Sequence, residues 1–266
     1  MSQQRFSVRY IILFSMAVCG VCAVFVSSLA VSLADEQDAN KLLDRRKNVL
    51  MAAGDVQPKD DVSAEQINEL FGQYRAKVID LATGEEVADI DPTTFDQRKA
   101  KKDPARSEPA PSNRSSIQRV PNNALIYEKL DTEGNVELVV LPIEGYGLWT
   151  TLYGFLALDR DTRTIRGLAY YEHGETPGLG GEVDNPRWRA LWPGRLAFDD
   201  QWQVKIQVIK GTAGPVAEDP HRVDGLAGAT ITARGVTNML DFWLGESGFE
   251  AYLQKLRNSF GTKGAA

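Results

Sequence analysis

Apolar residues along the chain are spaced in different ways in different stretches, and each spacing predicts a different element. Residues 10–34 contain no charged side chain. As a helix they would be about 37 Å long against a hydrocarbon core of about 30 Å, which predicts a membrane-spanning helix with some tilt. Past it, residues 35–53 read as a polar juxtamembrane helix, and residues 63–74 as a short helix opened by Ser63 with Gln66 in capping-box position. Residues 77–87, with Thr83-Gly84 at their middle, predict a small hairpin. Residues 91–116 are charged, proline-containing and poor in apolar side chains, which predicts a solvated loop whose Lys99, Lys101 and Lys102 form a soluble face.

Strand-like patterns begin at residues 124–127 and 136–141 and continue at 150–158 and 164–171, the last two flanking a polar turn at 159–162. Residues 185–191 predict a short helix with Pro186 at its first position, and 203–209 a further strand. Val236, Met239, Leu240 and Trp243 recur at helical spacing, so a helix is expected over 231–244. Gly245 stops it before a second helix over 247–257. Strands clustered ahead of helices predict an α+β domain, an antiparallel sheet with flanking helices, rather than a parallel nucleotide-binding sheet.

Charge and cysteine content narrow the function. The chain has 266 residues and a net charge of −6, which argues against a general nucleic-acid binder. Its two cysteines, Cys19 and Cys22, lie inside the apolar span, so the polar part can hold neither an internal disulfide nor a thiolate-ligated iron–sulfur cluster. A cleaved signal peptide competes with the anchor, because Arg5 and Arg9 precede the span and Ser32-Leu33-Ala34 has cleavage-site form. The apolar stretch exceeds the usual signal core of roughly 7–15 residues, which favours a retained anchor. Arg5 and Arg9 lie before the span, but Lys41, Arg45, Arg46 and Lys47 lie soon after it, so basic residues alone do not orient it.

The chemistry concentrates in residues 224–232, Asp-Gly-Leu-Ala-Gly-Ala-Thr-Ile-Thr, which run into the predicted C-terminal helix. Thr230 therefore falls at a helix N-terminus, where unpaired N–H groups and the helix dipole favour a bound phosphate. The plainer alternative is that Thr230 or Thr232 caps the helix. Residues 175–180, Glu-Thr-Pro-Gly-Leu-Gly, form a second constrained loop, in which proline fixes one dihedral and glycines admit close backbone approach. Trp149 is either core or a face for a planar ring. His173 and His221 stand too far apart in sequence to suggest a metal site, and no metal is expected.

These motifs together resemble the C subunits of the bacterial sodium-translocating NADH:quinone oxidoreductases. The likeness is carried by Gly147-Leu148-Trp149, the run from Tyr153 to Leu158, Glu172-His173-Gly174 with the loop after it, Val223-Asp224-Gly225-Leu226, Gly228-Ala229-Thr230 and Asp241-Phe242-Trp243-Leu244-Gly245. It implies one FMN per chain, esterified through its phosphate to Thr230, within a flavin-binding domain at 121–260. Residues 1–9 would be cytoplasmic, 10–34 would span the inner membrane, and 35–120 would lie between span and domain on the periplasmic side. Trp149, Glu175, Thr176, Gly178, Leu179, Gly180, Lys210, Gly228, Ala229 and Thr232 would contact the cofactor, with Lys210 stabilising negative charge on the reduced ring. Other subunits of a membrane redox complex, a periplasmic flavin transferase and the lipid bilayer would be partners. Ala227 stands where the family pattern usually has serine or threonine. The flavin-bearing subunit of Rnf-type complexes is a near alternative. A threonine-nucleophile hydrolase with His221 as base, or a tethered binding module, is an alternative of another class.

Overall fold

Residues 7–263 are described by a computed structural model. The chain divides at 44/45 into an N-terminal unit and a larger body. In the first unit, helix α1 (Val8–Ser32) is capped by the Ser7 hydroxyl, which accepts from the Tyr10 N–H at 3.2 Å. None of its side chains is buried, and it is long and apolar enough to cross a membrane. Helix α2 (Ala34–Ala53) realises the expected polar helix.

The C-terminal end of α2 belongs to the body, where Val49, Leu50, Ala52 and Ala53 are buried. Just beyond it Asp55 accepts from the Tyr74 hydroxyl and from the Lys129 ammonium, both at 2.7 Å, and Arg189 donates to the Met51 carbonyl. Helix α3 (Ala64–Phe71) carries the predicted capping box, with Ser63 and Gln66 bonded reciprocally. Strand β1 (Tyr74–Asp80) is followed by helix α4 (Gln97–Lys102) and strands β2 (Ser107–Pro109), β3 (Arg119–Pro121), β4 (Asn123–Leu130), β5 (Val136–Tyr146), β6 (Thr151–Asp159) and β7 (Ile165–Glu172). A 3-10 turn (Gly180–Asp184), helix α5 (Pro186–Arg189), strands β8 (Gln207–Val208) and β9 (Arg222–Val223), and helices α6 (Thr230–Leu244) and α7 (Glu250–Lys263) complete the chain.

The main sheet has the order β1-β4-β5-β6-β7 and every pair in it is antiparallel. This is the α+β architecture that the order of patterns predicts. Alternation along the strands turns Ile126, Val139, Leu141 and Leu156 toward one core, shared with Val236, Met239, Leu240 and Trp243 of α6. The Trp243 indole donates to the Glu144 carbonyl at 2.7 Å, so α6 is pinned to β5 by a polar bond as well as by packing.

Three expectations are corrected. Residues 91–116 are not a solvated loop: they contain α4 and β2, and bury Phe95, Ala100, Ser107 and Ser115. Side chains rather than apolar spacing build this segment. Asp96 caps α4 at the Lys99 N–H, and the Asn113 carboxamide brackets the Ser115 and Ile117 amides. Lys101 leaves the soluble face to pair with buried Glu144. The strand expected at 203–209 shrinks to β8, two residues parallel to β9, and the Val208 N–H donates instead to the Thr237 hydroxyl of α6 at 2.9 Å. The hairpin at 77–87 keeps only its first arm as a strand; β1 pairs along its length with β4, and the return arm is held by the Asp80 N–H to the Glu85 carbonyl and the Val87 N–H to the Val78 carbonyl, both at 2.8 Å, and by Lys77 to Glu86 at 3.0 Å.

Candidate functional site

Three segments meet at one end of the sheet: the turn from β5 to β6 (146–150), the loop after β7 (173–181) and the entry to α6 (226–232). Glu175 joins them. It is 4% exposed, and its carboxylate accepts from the Trp149 N–H at 2.9 Å, from Leu148 at 3.1 and 3.2 Å, from Thr150 at 3.2 Å and from the Thr232 hydroxyl at 2.6 Å. Burial pushes this carboxyl up, but the Thr232 hydroxyl and the three amides outweigh burial and hold it below the ordinary carboxylate value. Gly147 and Gly180 make room for it, since a Cβ at either would stand 2.7 or 2.5 Å from a carboxylate oxygen.

The three segments also touch directly. Gly228, at φ +71°, lies under Leu179, whose Cδ2 would be 2.9 Å from a Cβ at that position. Gly235 in α6 meets the Tyr146 carbonyl, which a Cβ would approach to 2.4 Å. The Tyr146 hydroxyl donates to the Trp149 carbonyl at 2.8 Å, and Gly174 N–H donates to the Thr150 hydroxyl at 2.6 Å. In the 175–180 loop, the Thr176 carbonyl accepts from Leu179 and Gly181, while Gly178 turns at φ +76°.

Ala229 is the N-cap of α6 and no side chain caps the helix. Thr230 is the first helical residue, and it is exposed; Thr232 is fully buried. Two residues of helix turn a side chain by about 200°, so the neighbouring hydroxyls face opposite ways. The three segments joined by Glu175 also carry exposed apolar side chains: Trp149 is 63% exposed, and Leu148, Leu179 and Ile231 are exposed as well. Trp149 is therefore not core.

Lys210 is exposed just past the end of β8, and the backbone there passes against Gly225, whose N–H donates to the Gly211 carbonyl at 2.8 Å. Asp224 fixes this crossing, accepting from Ala213 N–H through its side chain and from the Trp188 indole through its carbonyl, both at 2.9 Å. His173 joins Asp184 at 2.7 Å and accepts from the Glu175 N–H through Nδ1. His221 places Nδ1 on the Leu196 carbonyl at 2.9 Å, a loop hydrogen bond of the kind expected for it. Sequence reasoning misses the roles of Asp224, Tyr146 and Thr150, and the inward direction of Glu175 and Thr232. Only the two glycines that border Glu175 hint at a buried carboxylate.

The model of the FMN-binding domain family matches residues 147–245, from the glycine beside Glu175 to the stop of α6. Along the whole chain, the C subunit of the Na(+)-translocating NADH-quinone reductase of Pseudomonas aeruginosa is 46% identical over 97% of this chain and 98% of its own length, and that of Yersinia pestis is 44% identical over 94% of each. The chain belongs to this family of C subunits. The crystal structure of Shewanella oneidensis NqrC superposes with a TM-score of 0.76 at 35% identity, covering 83% of this chain and 99% of that one. The corresponding protein from Parabacteroides distasonis gives 0.64 at 25% identity, over 83% and 96%. As a member of this family the chain is one subunit of an oxidoreductase complex and bears an FMN-binding domain.

The site geometry fits that group. A planar apolar ring needs exposed apolar surface, which Trp149, Leu148, Leu179 and Ile231 offer. A phosphate needs unpaired amides, which the side-chain-free N-terminus of α6 offers within the first turn.

Proposed function

We propose that the chain carries one FMN through a phosphoester on Thr230 Oγ1 and relays electrons inside the membrane complex to which its family belongs. The observation that carries this reading is an exposed hydroxyl at the first position of a helix with no side-chain cap, on a helix turn that Glu175 joins to the turn carrying a solvent-facing tryptophan. When bound, the flavin supplies the capacity to accept and release electrons singly. The chain's own residues do the rest. The amides opening α6 hold the phosphate charge, with the helix dipole adding to their effect. Trp149 and Leu179 exclude water from the ring, Gly228 lets it approach the backbone, and the loop Thr176, Gly178 and Gly180 sets its edge. Lys210, exposed beside the Gly225 crossing, supplies positive charge.

The flavin-binding domain spans residues 121–260 and is carried in the periplasm by α1 in the inner membrane. NADH oxidation, ubiquinone reduction and sodium export belong to the assembled complex. Within this chain α1 has no acidic or basic side chain past Arg9 to form a cation path, and no Gly-x-Gly-x-x-Gly fingerprint occurs. A tethered cofactor suits a compartment with no free FMN to replace one that dissociates. The hydrolase reading is disfavoured because His221, its only suggested base, bonds the Leu196 carbonyl.

Peptide mapping of the full chain co-expressed with a periplasmic flavin transferase tests this. An FMN adduct on the peptide containing Thr230, absent in Thr230→Ala, is expected. A natural complex that yields the polypeptide at its bare mass overturns the reading.

A further inference from the structure

The geometry points to Glu175 as the positioning residue of this site: one buried carboxylate clasps the Trp149 turn to the first turn of α6, and its fixed charge lowers the potential of a flavin held between them. Its oxygens take up three consecutive amides, Leu148, Trp149 and Thr150, and the hydroxyl of Thr232, the third residue of α6. Those amides sit in a turn exposed on its outer side, so without Glu175 they would lose their acceptor. Among the described residues no cation pairs with this carboxylate, so the amide dipoles spread its charge without cancelling it. The Glu175 backbone is held in turn by His173 Nδ1.

A ring resting on Trp149 and anchored at Thr230 lies beside both segments that the clasp joins. An electron added to that ring meets the uncancelled negative charge of a carboxylate buried beneath it, which disfavours reduction. The clasp also exists before any cofactor arrives, so the site is ordered in advance of loading. The effect on potential rests on the reading of Thr230 given above; the effect on the turn does not.

Both are read on the full-length chain in detergent. In flavin-free protein, Glu175→Leu is expected to raise amide exchange at 148–150 at least tenfold while the β5 amides are unchanged, since it deletes the one oxygen, Oε1, that takes up all three amides. Glu175→Asp, one methylene shorter, is expected to loosen the same amides. In flavin-loaded protein, Glu175→Gln is expected to shift the one-electron equilibrium toward reduction at least threefold, about 28 mV at 59 mV per decade. Glu175→Asp, which keeps the charge, is expected to stay within half of that shift. Wild-type exchange at 148–150 in Glu175→Leu and Glu175→Asp overturns the clasp, and an unchanged potential in loaded Glu175→Gln overturns the electrostatic role. If Glu175→Leu does not fold, Glu175→Asp decides on the exchange readout. If wild-type protein accepts no FMN, the reading of Thr230 fails while the amides still decide the clasp.

Discussion

Two threonines, two residues apart on one helix, are expected to respond to substitution in opposite ways. Thr230 is exposed, is the first residue of α6 and caps nothing, because Ala229 occupies the N-cap position without a side-chain bond. Replacing it with alanine removes no structural hydrogen bond, and alanine is the better helix former by up to roughly 0.7 kcal/mol. Stability should therefore change by no more than about 0.7 kcal/mol, a midpoint shift of about 3 °C or less. Thr232 is buried and donates to the Glu175 carboxylate at 2.6 Å. Thr232→Val keeps the shape and deletes that donor. Hydrogen bonds to charged groups contribute about 1.5–3 kcal/mol, which for a body of this size is a midpoint lowered by roughly 3–12 °C. The assay is thermal unfolding of flavin-free full-length protein by circular dichroism, paired with peptide mass mapping after co-expression with a flavin transferase. Thr230→Ala should melt like wild type and carry no flavin; Thr232→Val should melt lower and still carry it. An adduct that survives in Thr230→Ala, or a larger thermal loss there than in Thr232→Val, refutes the division of roles.

Other consequences follow from the same contacts. Gly235→Ala forces α6 away from the Tyr146 carbonyl, which a Cβ would approach to 2.4 Å, and should cost about 1–3 kcal/mol and reduce flavin loading, measured by thermal melts and by flavin-to-protein ratio. Trp149→Ala should change stability by about 0.5 kcal/mol or less, since the side chain is mostly solvent-facing, yet alter the fluorescence of the loaded flavin. Glu128 is buried against Arg75 at 2.6 Å, Lys77 at 3.2 Å and the Tyr252 hydroxyl at 2.8 Å. Burial pushes its carboxyl up, but these partners outweigh burial and hold it below its ordinary 4.5. A depressed folded-state value stabilises above the unfolded value and loses that contribution as pH falls through the folded one. Glu128→Gln should thus cost about 3 kcal/mol at neutral pH and flatten the loss of stability below about pH 4.5, followed by denaturant melts across pH.

Much of this architecture is legible from spacing alone, and where it is not the cause can be named. β4 to β7 read as strands because both faces of each are covered, so four or five consecutive positions are buried and the sequence carries short apolar runs bounded by polar turns. The Ser63 helix announces itself because both halves of its capping box lie within four residues. Residues 91–116 hide α4 and β2 because short polar side chains satisfy their backbone and few apolar residues are buried there. Lys101 reads as solvated because its partner, Glu144, lies 43 residues away in sequence on β5. Thr230 stands out because a run of small residues ends at a helical pattern, whereas Thr232 carries the same signal and points inward. A hydroxyl's direction is fixed by helical phase relative to the core, and phase becomes certain only when Val236, Met239 and Trp243 are seen against β5.

The same placement explains why the site sits where it does. α6 starts at the end of the sheet where β5 turns into β6, and close backbone contact at Gly235 leaves little freedom in how far the helix lies from that turn. Once the helix is fixed, one side of its first turn must face the Glu175 carboxylate and the other must face solvent. A carboxylate that binds three turn amides and a helical hydroxyl then makes the distance between Trp149 and α6 a property of the folded chain rather than of a ligand. Order in these loops comes from buried polar bonds, so Trp149, Leu148, Leu179 and Ile231 need not be buried to hold them. Their apolar surface remains open beside loops that those bonds already order, so a planar group can be seated there without reordering the turn.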